Sequence, residues 1–239
     1  MLEYRFTEGQ VVRYGLQMRI TVQIERSEEE GAVSQVAEVA GRIVLTTESV
    51  EEGSAVLAVR AEQLEGEIPS KGFFDEAAVG DPLAALPERI RVGPRGENDT
   101  EVDSMREATE GTLDTLFPPL PEGSVKPGDV WTRSSSDESD EDPLIVHARF
   151  IGLEPGDDGV VRPVVGTFSG HAWSAGQGME GVQVQGEVRR MAEVSFRQPD
   201  GWAQRADSRV ESTLRIAGDA EQGARSIITV VEMLLMAES

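Results

Sequence analysis

The two histidines are the side chains best suited to proton transfer or metal binding, and their surroundings predict neither. His147 lies on the less apolar face of an alternating segment, and His171 follows Ser169 by two residues. A serine and a histidine two apart on one strand are not the arrangement of a nucleophile with its base. Neither histidine stands at ligand spacing from a second metal-binding side chain. We therefore expect no catalytic residues, no metal site and no cofactor, and we expect that the protein is not an enzyme. A cleft that brings one of the histidines close to a carboxylate would favour an enzyme instead.

Two polar segments have ordinary structural interpretations. The glycine-rich segment 176–181 lacks the Gly-Lys-Ser/Thr ending of a phosphate-binding loop, so we interpret it as a flexible loop. The most acidic run, residues 134–142, is predicted to be a solvated loop because like charges repel. A loose Ca²⁺ site is the alternative for that run, although it lacks the EF-hand loop pattern.

The charge balance excludes two classes of partner. The chain of 239 residues has 22 basic and 44 acidic side chains, for a net charge of −22. A nucleic acid requires a basic surface, and so does a membrane of anionic lipid. We therefore expect no nucleic-acid partner. The absence of cysteine also excludes disulfides, thiolate catalysis and cysteine-ligated metals.

The apolar residues are distributed along the chain without a long continuous run. No stretch of about 18 apolar residues occurs, so we expect no membrane span. The first residues have no basic segment followed by an apolar one, which is the pattern of a signal peptide. The sequence as given predicts a cytoplasmic protein, and an exported one if a signal peptide has been removed.

Alternation of apolar and polar residues is the dominant pattern, and it begins at Val12. From Val12 to Ile24 every second residue is apolar, which is typical of a strand with one buried face. Residues 33–48 and 54–64 repeat the pattern, with a turn at 51–53 between them. Further strands are predicted around 89–92 and 144–150, and over 160–174, 182–198, 202–217 and 224–237.

These segments predict a mainly β fold, in which a long, curved antiparallel sheet forms an incomplete barrel covered by one or two short helices. We expect a single β-rich domain over residues 1–239. It would comprise a first meander at 1–68, an irregular and helical excursion at 69–128 and a second group of long strands at 129–239.

The clearest helix signal lies between Ser104 and Phe117. Ser104 and Glu107 have the spacing of a capping box, and Pro118 stops the helix. The final strand, 227–236, is apolar on both faces, so we expect both faces to be covered and this helix to provide a lid. The predicted lid residues are Met105, Leu113, Leu116 and Phe117.

The most distinctive motif is the proline-rich segment 118–131, which ends in Gly128-Asp129-Val130-Trp131. Its simplest interpretation is a rigid connector that brings Trp131 into the core. Together with the Tyr4-Arg5-Phe6-x-x-Gly9 opening and the long strands, it resembles a group of uncharacterised bacterial exported domains that are similar to the lipoprotein carriers of the LolA and LppX type. The resemblance implies a curved antiparallel sheet with helices over an apolar concave face that holds acyl chains.

Two functions remain open from the sequence. The first is a non-enzymatic carrier or binding domain with an apolar pocket for a hydrophobic small molecule or lipid. The second is a structural or protein-interaction domain with a solid core and no ligand. For the first, the residues expected to line the pocket are Leu16, Met18, Ile20, Val22, Ile43, Leu57 and Trp173; as ordinary core residues they would suit the second.

Overall fold

The computed structural model describes most of the chain, with several gaps. The described residues are 2–25, 31–67, 87–97, 113, 115–134, 145–156, 158–175, 183–197, 200–217 and 224–238. Most of the predicted helix from Ser104, the acidic run from residue 135 onward and the glycine-rich segment 176–181 lie outside the described residues.

Within the described ranges, ten strands form one antiparallel sheet that is curved and does not close. Its spatial order is β4-β3-β2-β1-β10-β9-β8-β7-β6-β5, so that the first and last strands of the chain pair at its centre. The strands are β1 (Val11–Glu25), β2 (Ala32–Glu51), β3 (Ser54–Glu67), β4 (Arg89–Val92), β5 (Val130–Ser134), β6 (Ile145–Pro155), β7 (Val161–Ala175), β8 (Gln183–Phe196), β9 (Ala203–Ala217) and β10 (Ala224–Ala237). The mainly β fold and the strand positions predicted from alternation are confirmed.

The two faces of the sheet differ in burial. On β1 the even-numbered residues from Val12 to Ile24 are all buried, whereas Gln17 and Arg19 are exposed. We call the face that carries Leu16 and Met18 the core face and the opposite one the outer face. Because directly paired residues of antiparallel strands point to the same side, the register extends both faces across the sheet.

The turn between β2 and β3 shows why the sequence folds here as a hairpin. Glu52 and Gly53 are its two central residues, and both have positive φ values, of 51° and 85°. A two-residue turn of this kind matches the right-handed twist of the paired strands, and glycine adopts such a conformation without steric cost. The turn predicted at 51–53 is therefore confirmed.

The predicted helix does not continue to Phe117. Leu113 is helical, but residues 115–117 form a turn, in which the Leu116 amide donates to the Leu113 carbonyl at 2.9 Å. The prolines at 118 and 119 follow directly and cannot continue a helix. Leu113, Leu116 and Phe117 are all buried in the hydrophobic core.

The prediction that both faces of β10 are covered is wrong for the outer face. Met233 and Leu235 are buried on the core face, but Leu234 lines an open groove on the outer face and Met236 is 41% exposed. Long charged side chains such as Arg209 lie on the same outer face. Their aliphatic portions cover apolar surface, so no further layer of secondary structure is needed there.

Five aromatic side chains fill one end of the core face, where β1 and β9 begin. This aromatic plug consists of Tyr4, Phe6, Phe117, Phe196 and Trp202. The ring centroids of Tyr4 and Phe117 are 5.4 Å apart, those of Phe117 and Trp202 5.9 Å, and those of Phe6 and Trp202 5.5 Å. Edge-to-face contacts of this kind add to the stabilisation by burial. The plug joins the N-terminal segment, the connector and the β8–β9 hairpin.

Hydrogen bonds also join the two edges of the sheet at this end. The Trp131 Nε1 on β5 donates to the Pro119 carbonyl at 2.9 Å, and Arg133 donates to the Arg95 carbonyl at 2.9 Å. The Leu120 amide donates to the same Arg95 carbonyl at 2.9 Å. These bonds connect the segment that follows β4 to β5 through the connector. Trp131, which was expected to enter the core, is partly buried and packs against it.

Candidate functional site

The core face changes along the strands from a sealed end to a partly accessible one. Near the aromatic plug, one row of paired residues crosses five neighbouring strands, and none of its members is more than 3% exposed. The row consists of Leu16, Leu235, Ala206, Val194 and Val165. A side chain buried to this degree touches no space large enough for a water molecule. This end of the core face is therefore solid.

A second row of paired residues crosses the same five strands six residues further along β1. Its members are buried on some of these strands and partly accessible on the others. Val22 and Thr229 are buried, at 0% and 8% exposed, but Ser212, Val188 and His171 are only partly buried. Burial thus decreases from β1 towards β7 on a face that is otherwise the core. All five residues point to the same side of the sheet, so strand orientation does not explain the difference in burial. The difference arises from what packs on the core face above each strand.

The partly accessible region combines apolar and polar side chains in equal number. We call it the β8–β9 wall and define it by His171, Val188, Arg190, Val210, Ser212 and Leu214, all of which are partly buried. Leu214 packs against the hydrophobic core, so the wall is continuous with it. Ligand-binding sites join apolar surface to a small number of polar groups, and here Val188, Val210 and Leu214 supply the apolar part.

Six of the seven predicted lining residues are buried. Leu16, Met18, Ile20, Val22, Ile43 and Leu57 all belong to the core cluster and are between 0% and 4% exposed. Trp173 lies on β7 opposite Gly186, and its side chain is outside the described residues. The ligand-lining role of these residues stays a prediction. The accessible part of the core face lies on β7, β8 and β9, and of the predicted lining residues only Trp173 belongs to one of these strands.

The predicted lid residues divide in the same way. Met105 lies outside the described residues, while Leu113 and Leu116 are buried members of the hydrophobic core and Phe117 is part of the aromatic plug. Their role as a lid over a ligand stays a prediction.

The histidines lie on opposite faces of the sheet. His147 pairs with Phe168 on the outer face and is exposed, whereas His171 pairs with Val188 on the core face. They cannot contribute to one site. Ser169 is buried beside His171, and among the described residues no hydrogen bond joins the two. Within the same ranges, no group of three His, Asp or Glu side chains is arranged to hold a metal ion.

Burial shifts the pKa of several groups around the plug. Desolvation raises the pKa of Tyr4 well above its usual value, and it also raises the pKa of Tyr14. The hydroxyl of Tyr14 donates to the Ala203 carbonyl at 3.1 Å, which satisfies it in the neutral form. Burial lowers the pKa of Arg133, and the charge of Glu97 opposes this shift. These pKa shifts follow from the exclusion of water at the sealed end of the core face.

Most of the aromatic plug is not predicted from the sequence. Tyr4 and Phe6 belong to the opening motif, but no pattern marks Phe196 or Trp202 as a core residue. The Pro-Asp-Gly turn before Trp202 was the available signal, because an aromatic residue directly after a hairpin turn lies where the strand enters the core.

In the part of the chain that the structure describes, no helix has both the length and the apolar character to cross a membrane.

Comparisons with known proteins give structural likenesses only. No protein-family model matches the chain, and no curated protein matches it. Among solved structures, lipovitellin has a TM-score of 0.47 at 13% identity, over 98% of this chain and 26% of that one. The chain therefore spans about a quarter of the length of the lipovitellin chain.

Two other solved structures are less similar. DynF from the dynemicin biosynthesis pathway of Micromonospora chersina has a TM-score of 0.26 at 8% identity, over 98% of this chain and 83% of that one. An outer membrane channel from Pseudomonas putida F1 has a TM-score of 0.26 at 10% identity, over 98% and 97%. All of these scores are too low to assign a shared fold, so function has to be argued from the chain's own residues.

Proposed function

We propose that this protein is a non-enzymatic binding domain that holds a hydrophobic ligand against the β8–β9 wall. The observation that carries the proposal is the gradient along the core face, from a sealed row at Leu16 to a partly accessible row at Val188. In a core with no other role, apolar side chains in the middle of a wide sheet are expected to be buried throughout.

The composition of the wall supports a ligand with an apolar body and a polar end. Val188, Val210 and Leu214 supply apolar surface, while Arg190 and His171 lie on neighbouring strands of the same face. A fatty acid or a related lipid has this chemistry. The resemblance of the sequence to lipoprotein carriers points to the same class of ligand.

A domain with a solid core and no ligand is the second candidate. The observation that favours it is the packing of the six predicted lining residues, of which Val22, Ile43 and Leu57 are 0% exposed. If the wall is covered in the same way in solution, the protein has a structural or interaction role.

A pair of tryptophan variants on β8 separates the two candidates. Val188→Trp fills the wall, whereas Gln185→Trp adds the same ring at an exposed position on the outer face. With a fluorescent fatty acid as the probe, we expect saturable binding to the unaltered protein, weakening of about tenfold for Val188→Trp and no change for Gln185→Trp. Denaturant midpoints of both variants show whether the fold is intact. Absence of saturable binding to the unaltered protein, or equal binding by both variants, would exclude the β8–β9 wall as the site.

A further inference from the structure

The outer face carries a groove that the proposed ligand site does not use. It has a volume of about 820 Å³ and crosses the centre of the sheet from Glu65 on β3 to Glu193 on β8. We call it the outer groove. Its outer-face side chains include five carboxylates and two guanidinium groups, from Glu38, Glu65, Glu193, Asp207, Glu232, Arg19 and Arg209.

One row of the outer groove contains acidic side chains and no basic ones. It runs across six paired strands as Glu65, Ala40, Gln17, Leu234, Asp207 and Glu193. Asp207 is paired with Arg205 at 2.8 Å, but among the described residues neither Glu65 nor Glu193 forms an ion pair. Asp207 and Glu193 are directly opposite each other, and like charges in that position repel.

The adjacent row is balanced and ends in apolar residues. Glu38, Arg19, Glu232 and Arg209 alternate in charge over four strands, with Arg209 and Glu232 2.6 Å apart. The row continues into Met191 and Phe168, which are paired and are 43% and 47% exposed. Large apolar side chains exposed next to one another beside a groove are typical of an interaction surface.

We propose that the outer groove docks a basic, partly apolar segment of a partner protein. Lysine or arginine side chains of the segment would meet Glu65, Asp207 and Glu193, and an apolar side chain would lie on Leu234 or Met191. The incoming cation relieves the repulsion between Asp207 and Glu193, so the groove gains from a partner of this charge specifically. The net charge of −22 would also attract such a segment over a distance.

The shape of the groove favours a peptide over a small cation. Its acidic row crosses six strands, which at the spacing between neighbouring strands is about 24 Å, the length of roughly seven extended residues. A peptide that lies across the strands is therefore long enough to contact Glu65 at one end of the row and Glu193 at the other.

The test measures binding of a defined peptide to the full chain. The probe is a fluorescent peptide of about eight residues in which lysine alternates with leucine, and a glutamate-leucine peptide of the same length and the polyamine spermine are the comparison ligands. The groove variant is Asp207→Asn with Glu193→Gln. The control variant, Glu8→Gln with Glu154→Gln, makes the same change in net charge at exposed positions outside the groove. Met191→Ser removes the apolar contact without a change of charge.

We expect the lysine-leucine peptide to bind the unaltered protein, and about a fivefold loss of affinity in the groove variant against less than twofold in the control. Met191→Ser should weaken binding too, and denaturant midpoints confirm that each variant is folded. Equal losses in the groove and control variants would show that only overall charge matters and would overturn the proposal. Binding of the glutamate-leucine peptide with equal affinity would also overturn it, as would spermine binding that matches the peptide in affinity and competes with it.

Discussion

The hydroxyl of Tyr4 donates a hydrogen bond to the carbonyl of Pro118 at 3.2 Å, deep in the sealed end of the core face. The amide of Tyr4 donates to the Pro94 carbonyl at 2.8 Å, so one residue fastens the N-terminal segment both to the connector and to the segment after β4. The Pro118 carbonyl is buried away from water and depends on such a partner. The N-terminal segment is thus a structural part of the domain.

Removing the Tyr4 hydroxyl should cost measurable stability. We expect Tyr4→Phe to lower the free energy of unfolding by about 1–3 kcal/mol, because it leaves a buried carbonyl without a donor while it keeps the ring contacts. Tyr4→Leu also removes the contacts with Phe117 and Phe196 and should cost more. Urea denaturation monitored by circular dichroism measures both. A Tyr4→Phe variant as stable as the unaltered protein would show that water satisfies the Pro118 carbonyl.

Gly201 is expected to be essential for the docking of the N-terminal segment. It has a φ of 74°, and a Cβ at this position would overlap the Glu3 carbonyl oxygen. Gly159 also has a φ of 74°, with nothing within 4 Å of a Cβ, and is therefore a matched control for backbone strain. We expect Gly159→Ala to cost about 1 kcal/mol and Gly201→Ala distinctly more, from the difference in their denaturation midpoints. Equal costs would mean that the N-terminal segment moves aside freely.

Truncation of Leu116, two residues before the connector, should show that this part of the chain belongs to the core. Leu116 is 0% exposed, and we expect Leu116→Ala to lower the free energy of unfolding by about 2–5 kcal/mol. Val130 is 62% exposed on the edge strand β5, and Val130→Ala should change stability by less than about 0.5 kcal/mol. Chemical denaturation of both variants gives the comparison. A small effect of Leu116→Ala would contradict the packing of the turn at 115–117 against the core.

The chain has only two tyrosines, Tyr4 and Tyr14, and burial raises the pKa of both. In the unfolded chain a tyrosine ionises near pH 10, so above about that pH the unfolded state loses protons that the folded state keeps. Stability should therefore be unaffected by these groups below about pH 10 and should fall as the pH rises beyond it. We expect phenolate absorbance to appear together with unfolding in an alkaline titration. Phenolate formed while the circular dichroism spectrum is still native would contradict the burial of these rings.

The sequence predicts the strands well because alternation is a local signal. The buried side chains of β1 follow the period of two from Val12 to Ile24, and Gly53 marks the turn from β2 to β3. The pairing of β1 with β10 could not be predicted in this way, since it joins the two ends of the chain and no local pattern encodes register between distant strands. The same reason applies to the aromatic plug, in which Tyr4 and Trp202 come from distant segments.

For the candidate site, the sequence predicts only which face of the sheet carries it. Alternation identifies Val22 and Val188 equally as inward-pointing apolar residues, yet one is 0% exposed and the other is partly accessible. The difference depends on what lies opposite each strand of a curved sheet, which sequence periodicity does not report. The outer groove was missed because its acidic row is assembled from single residues of six strands, each of which is an ordinary surface residue in its own segment.

The central claim is that the core face binds a hydrophobic ligand, and native mass spectrometry of the full chain purified from its own host tests it most directly. We predict a stoichiometric adduct with the mass of a lipid or fatty acid, which is lost in Val188→Trp and retained in Gln185→Trp. Ligand-free protein from the same host, with a fold intact by circular dichroism and no uptake of added fatty acid, would contradict the claim and leave a domain with a solid core.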